Sequence, residues 1–116
     1  MLLWALDATP IRTEARGLIE DTRTSVYVSA ASAWEIGIKT ALGKLRAPDD
    51  LVEQLHGARF IPLPVTIAHG LAMGSLPTLH GDPFDRLLVA QAQLEDLTLV
   101  TRDERLGEYG IAVIAA

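Results

Sequence analysis

Short, continuous apolar runs alternate with helix-forming segments along this chain, and that alternation leaves few folds open. Val26-Tyr27-Val28 is β-branched and aromatic and follows a polar stretch, so it reads as a strand. A helix is expected over 31–42, with Trp34, Ile38, Ala41 and Leu42 at helical spacing and Gly43 as its stop. Pro48-Asp49-Asp50 opens a second helix over 51–56, and 60–65 reads as a strand whose two prolines suit an edge. Thr66 caps a helix carrying Ile67, Leu71 and Met73, which Gly74-Ser75-Leu76-Pro77 ends. The strongest helix signal follows: Asp82 as N-cap, Pro83 at N1, then Leu87, Leu88, Ala90, Ala92 and Leu94. Strand 97–101, a short helix over 104–108 and strand 111–114 complete the chain. Strands that are apolar throughout are buried on both faces, so the expected fold is α/β, with a parallel sheet covered on both sides and right-handed crossovers. The opening Leu2-Leu3-Trp4-Ala5-Leu6 reads as the buried end of a helix, and Trp4 and Trp34 as core residues.

The 116 residues fit one domain over 1–116. A composition 49% hydrophobic and 22% charged supports a packed core and argues against disorder. The net charge of -5 argues against a protein that binds nucleic acid by bulk electrostatics, but leaves open a nuclease that meets RNA through metal ions held on its own carboxylates. With no cysteine, disulfides, zinc thiolate sites and thiol nucleophiles are excluded, which suits a reducing cytoplasm. No apolar run approaches the about 20 residues of a membrane span, and the first residues lack the basic region of a signal peptide.

Ligands of a parallel sheet bind outside the carboxyl ends of its strands. After 26–28 come Ser29, Ser32 and then Glu35; after Leu99-Val100 come Thr101, Arg102 and Asp103; His80, Gly81, Asp82 and Asp85 surround the start of the strongest helix. This reading gathers Glu35, Asp85 and Asp103, with Asp82 as a fourth acid, at one edge of the sheet. Converging carboxylates repel one another unless a cation is shared among them, and Mg²⁺ or Mn²⁺ takes such hard oxygen ligands. Arg86 and Arg102 flank the site as candidate phosphate contacts.

Each residue also has a plainer explanation. Asp82 caps a helix, and Asp85 suits a helix dipole. Ser32 and Glu35 fit a capping box, and Glu35 with Lys39 makes an i,i+4 pair worth about 0.2–0.5 kcal/mol. Asp103 could cap the helix at Glu104. The three histidines have no metal-ligand spacing and read as structural or surface residues. The joint placement of the acids, not any one of them, carries the functional reading.

The run His80-Gly81-Asp82-Pro83-Phe84-Asp85-Arg86-Leu87-Leu88-Val89-Ala90-Gln91-Ala92 closely resembles the DPFDRLL(I/V)AQA segment of VapC-like toxins of the PIN-domain family. Leu99-Val100-Thr101-Arg102-Asp103 resembles the LVTRD segment that follows it there, and Val28 to Ile36 the strand-to-helix segment carrying that family's glutamate. The resemblance implies a three-layer α/β/α domain and about four acidic residues binding Mg²⁺ or Mn²⁺. It also implies endoribonuclease activity, a small cognate antitoxin and a homodimer. Glu35, Asp85 and Asp103 match the second, third and fourth acidic positions. Asp82 is a frequent extra acid, Thr101 lies where a hydroxyl supports the site, and Ser29 is a second supporting hydroxyl. The family's first strand, ending in the first Asp, is expected upstream of residue 1, with Leu2 to Leu6 matching the helix after it. Asp7 then falls in the following loop and is not promoted to the missing ligand. A start codon placed too late explains this better than a decayed gene or a strand donated by another chain.

The leading expectation is therefore a metal-dependent endoribonuclease, the toxin of a type II toxin–antitoxin pair. The alternative is an inactive, truncated domain that still binds an antitoxin. A phosphoacceptor receiver domain would need a Lys after its last strand, where this chain has Ala115-Ala116.

Overall fold

The computed structural model describes residues 1–6, 13–47 and 49–116. The elements run β1 (Leu2–Trp4), α1 (Thr13–Glu20), β2 (Val26–Ser29), α2 (Ala30–Ala41), α3 (Leu51–Gly57) and β3 (Ile61–Leu63). They continue with α4 (Ile67–Gly74), α5 (Pro83–Glu95), β4 (Thr98–Thr101), a 3₁₀ turn (Glu104–Tyr109) and β5 (Val113–Ala115). Among the described residues all four strand pairings are parallel, in the order β3-β2-β1-β4-β5. The chain thus lays β2 and β3 outward on one side of β1, then returns to lay β4 and β5 on the other. The switch point of the sheet lies between β1 and β4, where Leu3 stands opposite Leu99 and Trp4 opposite Val100.

The opening residues are the main correction. Leu2–Trp4 is not the end of a helix but the central strand, and it fills the position expected to be vacant. Leu2 N–H donates to Ser25 O, and Ala5 N–H extends the ladder to Val100 O. The alternation along β1 sorts its side chains between the two faces. Leu3 and Leu99, both 0% exposed, join Leu87, Leu88 and Val89 of α5 on one face. Leu2, Val26 and Val100 meet Ala15 and Ile19 of α1 on the other. Helices on both faces make the three-layer α/β/α arrangement. The helix α1 was not anticipated from the sequence.

Elsewhere the elements sit within a residue or two of expectation, and β3, with Pro62 in it, is an edge strand. Pro48, read as opening α3, lies outside the described residues. In α4, Thr66 Oγ1 accepts from His69 N–H while His69 Nδ1 accepts from Thr66 N–H, a reciprocal cap. Helix α5 ends on Asp96 in the left-handed region (φ 53°), a conformation Asp tolerates better than most residues. Two expectations for α2 fail. Its cap is Ser29, not Ser32, which sits inside the helix with its hydroxyl buried. Trp34 is no core residue: it is 61% exposed, its ring edge-on to Phe84 at 5.1 Å. Only the start of α2, at Ala31 and Ser32, is buried, and its Trp34–Ile38–Leu42 stripe faces outward.

Candidate active site

An open cavity of about 450 Å³ lies at the carboxyl ends of β1 and β4, at the switch point. Trp4, Ala5 and Leu6 leave β1 along its floor, and Thr101, Arg102 and Asp103 enter from the end of β4. Glu35 reaches it from α2, and Asp82 and Asp85 from the start of α5. The four acids singled out in the sequence therefore line one cavity, with Thr101 among them. Asp7, the next residue after Leu6, lies outside the described residues.

Local chemistry sets each acid differently. Asp82 caps α5, its Oδ1 accepting from Phe84 N–H at 2.8 Å and Asp85 N–H at 3.2 Å. Asp103 caps the 3₁₀ turn, and Arg105 grips both its carboxylate oxygens, which holds its carboxyl below the usual range despite some desolvation. Thr101 Oγ1 accepts from Asp103 N–H at 3.2 Å. Glu35 is paired with Lys39 at 3.4 Å. Asp85 is pushed up to about 6, first by burial and then by the negative charges of Asp82, Glu35 and Asp103, with His80 offsetting part of the effect. The repulsion expected among converging carboxylates is thus concentrated on Asp85.

The donor set consists of hard carboxylate oxygens with an excess of negative charge, which fits a divalent cation such as Mg²⁺ or Mn²⁺. As they stand, no three His, Asp or Glu side chains among the described residues are gathered to hold one ion. Two of the four acids, Glu35 and Asp103, are paired with Lys39 and Arg105.

Two other expected site residues lie elsewhere. Ser29 is buried under α5, its hydroxyl donating to Gln91 Oε1 and accepting from Ala31 N–H. Arg86 spends its guanidinium on the carbonyls of Met73, Leu76 and Pro77, where it caps the end of α4 and the following turn. Lys44, which the sequence reading passed over, lines the cavity, as does Lys39, read there only as a helix-pair partner. The signal for Lys44 was its place directly after the helix-stopping Gly43.

A parallel α/β domain with acids gathered at its switch point defines a class of proteins whose chemistry is done at that edge of the sheet. This chain belongs to the PIN domain family, whose sequence profile matches residues 1–112. It is 40% identical over 60 residues to Ribonuclease VapC16 of Mycobacterium tuberculosis (strain ATCC 25618 / H37Rv). That stretch covers 48% of this chain and 43% of the relative, so the match spans less than half the relative's length. A structure of FitAB bound to an IR36 DNA fragment matches 99% of this chain and 94% of its own, with a TM-score of 0.68 at 16% identity. FitAcB from Neisseria gonorrhoeae matches 98% and 96%, with a TM-score of 0.64 at 19% identity. At these identities the two structures speak for the fold alone.

Proposed function

We propose that this chain is a divalent-metal-dependent endoribonuclease, the toxin of a type II toxin–antitoxin pair. One observation carries the reading: in a PIN-family chain, Glu35, Asp82, Asp85 and Asp103 line a single cavity at the switch point of the sheet. The similarity to a protein named as a ribonuclease supports it. Glu35, Asp85 and Asp103, with Asp82 beside them, would hold Mg²⁺ or Mn²⁺. The ion would supply positive charge against a scissile RNA phosphodiester and make a water more acidic. To serve as ligands, Asp85 must be ionised, and Glu35 and Asp103 must be freed from their ion pairs with Lys39 and Arg105. Thr101 keeps the backbone at Asp103 in place through its hydrogen bond.

A cognate antitoxin and a homodimer belong to the same reading. The outward Trp34–Ile38–Leu42 stripe of α2 and the exposed Ile67 and Leu71 of α4 are apolar faces suited to partners. The reading also places the chain in the cytoplasm with its RNA. No helix among the described residues is long and apolar enough to cross a membrane.

A chain that binds its partner without cutting RNA is the competing reading, favoured by the ion pairs that occupy Glu35 and Asp103. One assay separates the two: cleavage of single-stranded RNA by the full chain with Mn²⁺. Cleavage that falls about 10²-fold or more in Asp85→Asn supports the nuclease. A folded chain that leaves RNA intact refutes it.

A further inference from the structure

The cations at the cavity are not equivalent. Lys39 is held by Glu35 at 3.4 Å, and Arg105 by Asp103 at 2.7 Å. Arg102 lines the cavity and has interactions of its own. Lys44 lines the same cavity, yet among the described residues its ammonium makes no ion pair or hydrogen bond. These two lysines are the only ones in a chain of net charge -5, and both stand at this acidic cavity.

Lys44 is put there by the backbone. Gly43 takes a left-handed conformation (φ 72°) just past the end of α2, which glycine adopts without steric cost. Gly43 N–H then donates to Thr40 O at 3.1 Å and Lys44 N–H to Lys39 O at 2.9 Å, the paired bonds of a Schellman turn. That turn folds the chain back, so the residue after the helix stands beside the last lysine within it. A cation placed by a hydrogen-bonded turn in the lining of a carboxylate cavity, and satisfied by none of those carboxylates, is matched to an anion from outside.

We propose that Lys44 anchors the RNA strand, binding a backbone phosphate next to the bond presented to the carboxylates. This rests on the ribonuclease reading of the cavity. A lysine ammonium is a compact charge on a flexible stem, so the contact positions the strand without reading its bases. Lys44 is then a substrate-binding residue and Lys39 the counter-ion of Glu35.

The test is fluorescence anisotropy with a labelled single-stranded RNA oligonucleotide at several salt concentrations. The protein is the full chain carrying Asp85→Asn, so that the RNA survives. Adding Lys44→Ala is expected to lower the slope of log K against log salt by about 0.7, the loss of one phosphate contact on a single strand. Lys44→Arg should keep the slope, and Arg16→Ala, on exposed α1, should leave it unchanged. In the chain with Asp85 intact, Lys44→Ala should raise KM for RNA while kcat and Mn²⁺ affinity hold. Equal affinity and slope with and without Lys44 overturn the proposal while leaving the nuclease reading intact. Failure of the parent chain to bind RNA, joined to absence of cleavage, overturns both.

Discussion

Arg105 clamps Asp103 through two parallel hydrogen bonds, Nε to Oδ1 at 2.8 Å and Nη2 to Oδ2 at 2.7 Å. A cation that binds Asp103 must displace that guanidinium. The pair is largely exposed on the arginine side, where solvent screens it and leaves it weak. Arg105→Gln should therefore tighten Mn²⁺ binding by at most about fivefold, read by calorimetry. Weaker binding in the variant would mean that Arg105 helps the site instead of competing for it.

Asp85 gives the cavity a pH signature. Its carboxyl, pushed up to about 6, binds a proton more tightly folded than in the unfolded chain, where about 3.9 is usual. Between those values the folded state carries more protons, so stability falls as pH rises from about 4 to 6 and then levels off. The group's destabilisation is complete above about pH 6 and absent below about pH 4. Asp85→Asn should stabilise the metal-free chain by on the order of 1–3 kcal/mol at pH 7, an advantage that vanishes near pH 4. Urea titrations at both pH values check this. Mn²⁺ affinity should also weaken below about pH 6, as protons compete for Asp85.

A buried polar network ties the layers together. Ser29 donates to Gln91 Oε1, and Gln91 Nε2 donates to Pro64 O at 3.2 Å. His69, whose Nδ1 accepts from Thr66 N–H, carries its proton on Nε2 and donates to Glu95 at 2.9 Å. Gln91 is fully buried, so truncating it strands the Ser29 hydroxyl and the Pro64 carbonyl. Gln91→Ala should cost about 2–4 kcal/mol in urea denaturation. A loss under about 1 kcal/mol would show that these groups find other partners.

Leu3 and Trp34 reverse their apparent roles. Leu3→Ala in the central strand should cost about 2–5 kcal/mol, whereas Trp34→Ala should cost about 1 kcal/mol or less. Thermal denaturation of the two variants tests the placement of β1, and equal losses would contradict it.

The same pair shows what the sequence could and could not convey. A five-residue apolar run such as Leu2 to Leu6 has no periodicity that separates strand from helix, and only the neighbours β2 and β4 decide it. Helical spacing put Trp34, Ile38 and Leu42 on one face but could not say whether that face meets the sheet. Helix α5 was legible because capping by Asp82 and Pro83 is local chemistry. The acids were legible because residues just beyond strand ends, or at the start of a helix, share one edge of a parallel sheet. Their ion pairs were harder to see, because sequence gives no side-chain direction. Arg86 turns to the end of α4 and Arg105 to Asp103 for reasons that exist only in three dimensions, whereas the Glu35–Lys39 pair was already given by its i,i+4 spacing.

If Glu35, Asp82, Asp85 and Asp103 form a cation site, the folded chain binds a divalent ion through them. Calorimetric titration of Mn²⁺ into the full chain at pH 7.5, alongside Asp85→Asn, tests it most directly. Saturable binding that the substitution abolishes is the expected result. No saturable binding to the folded chain, or binding that Asp85→Asn leaves unchanged, would contradict it.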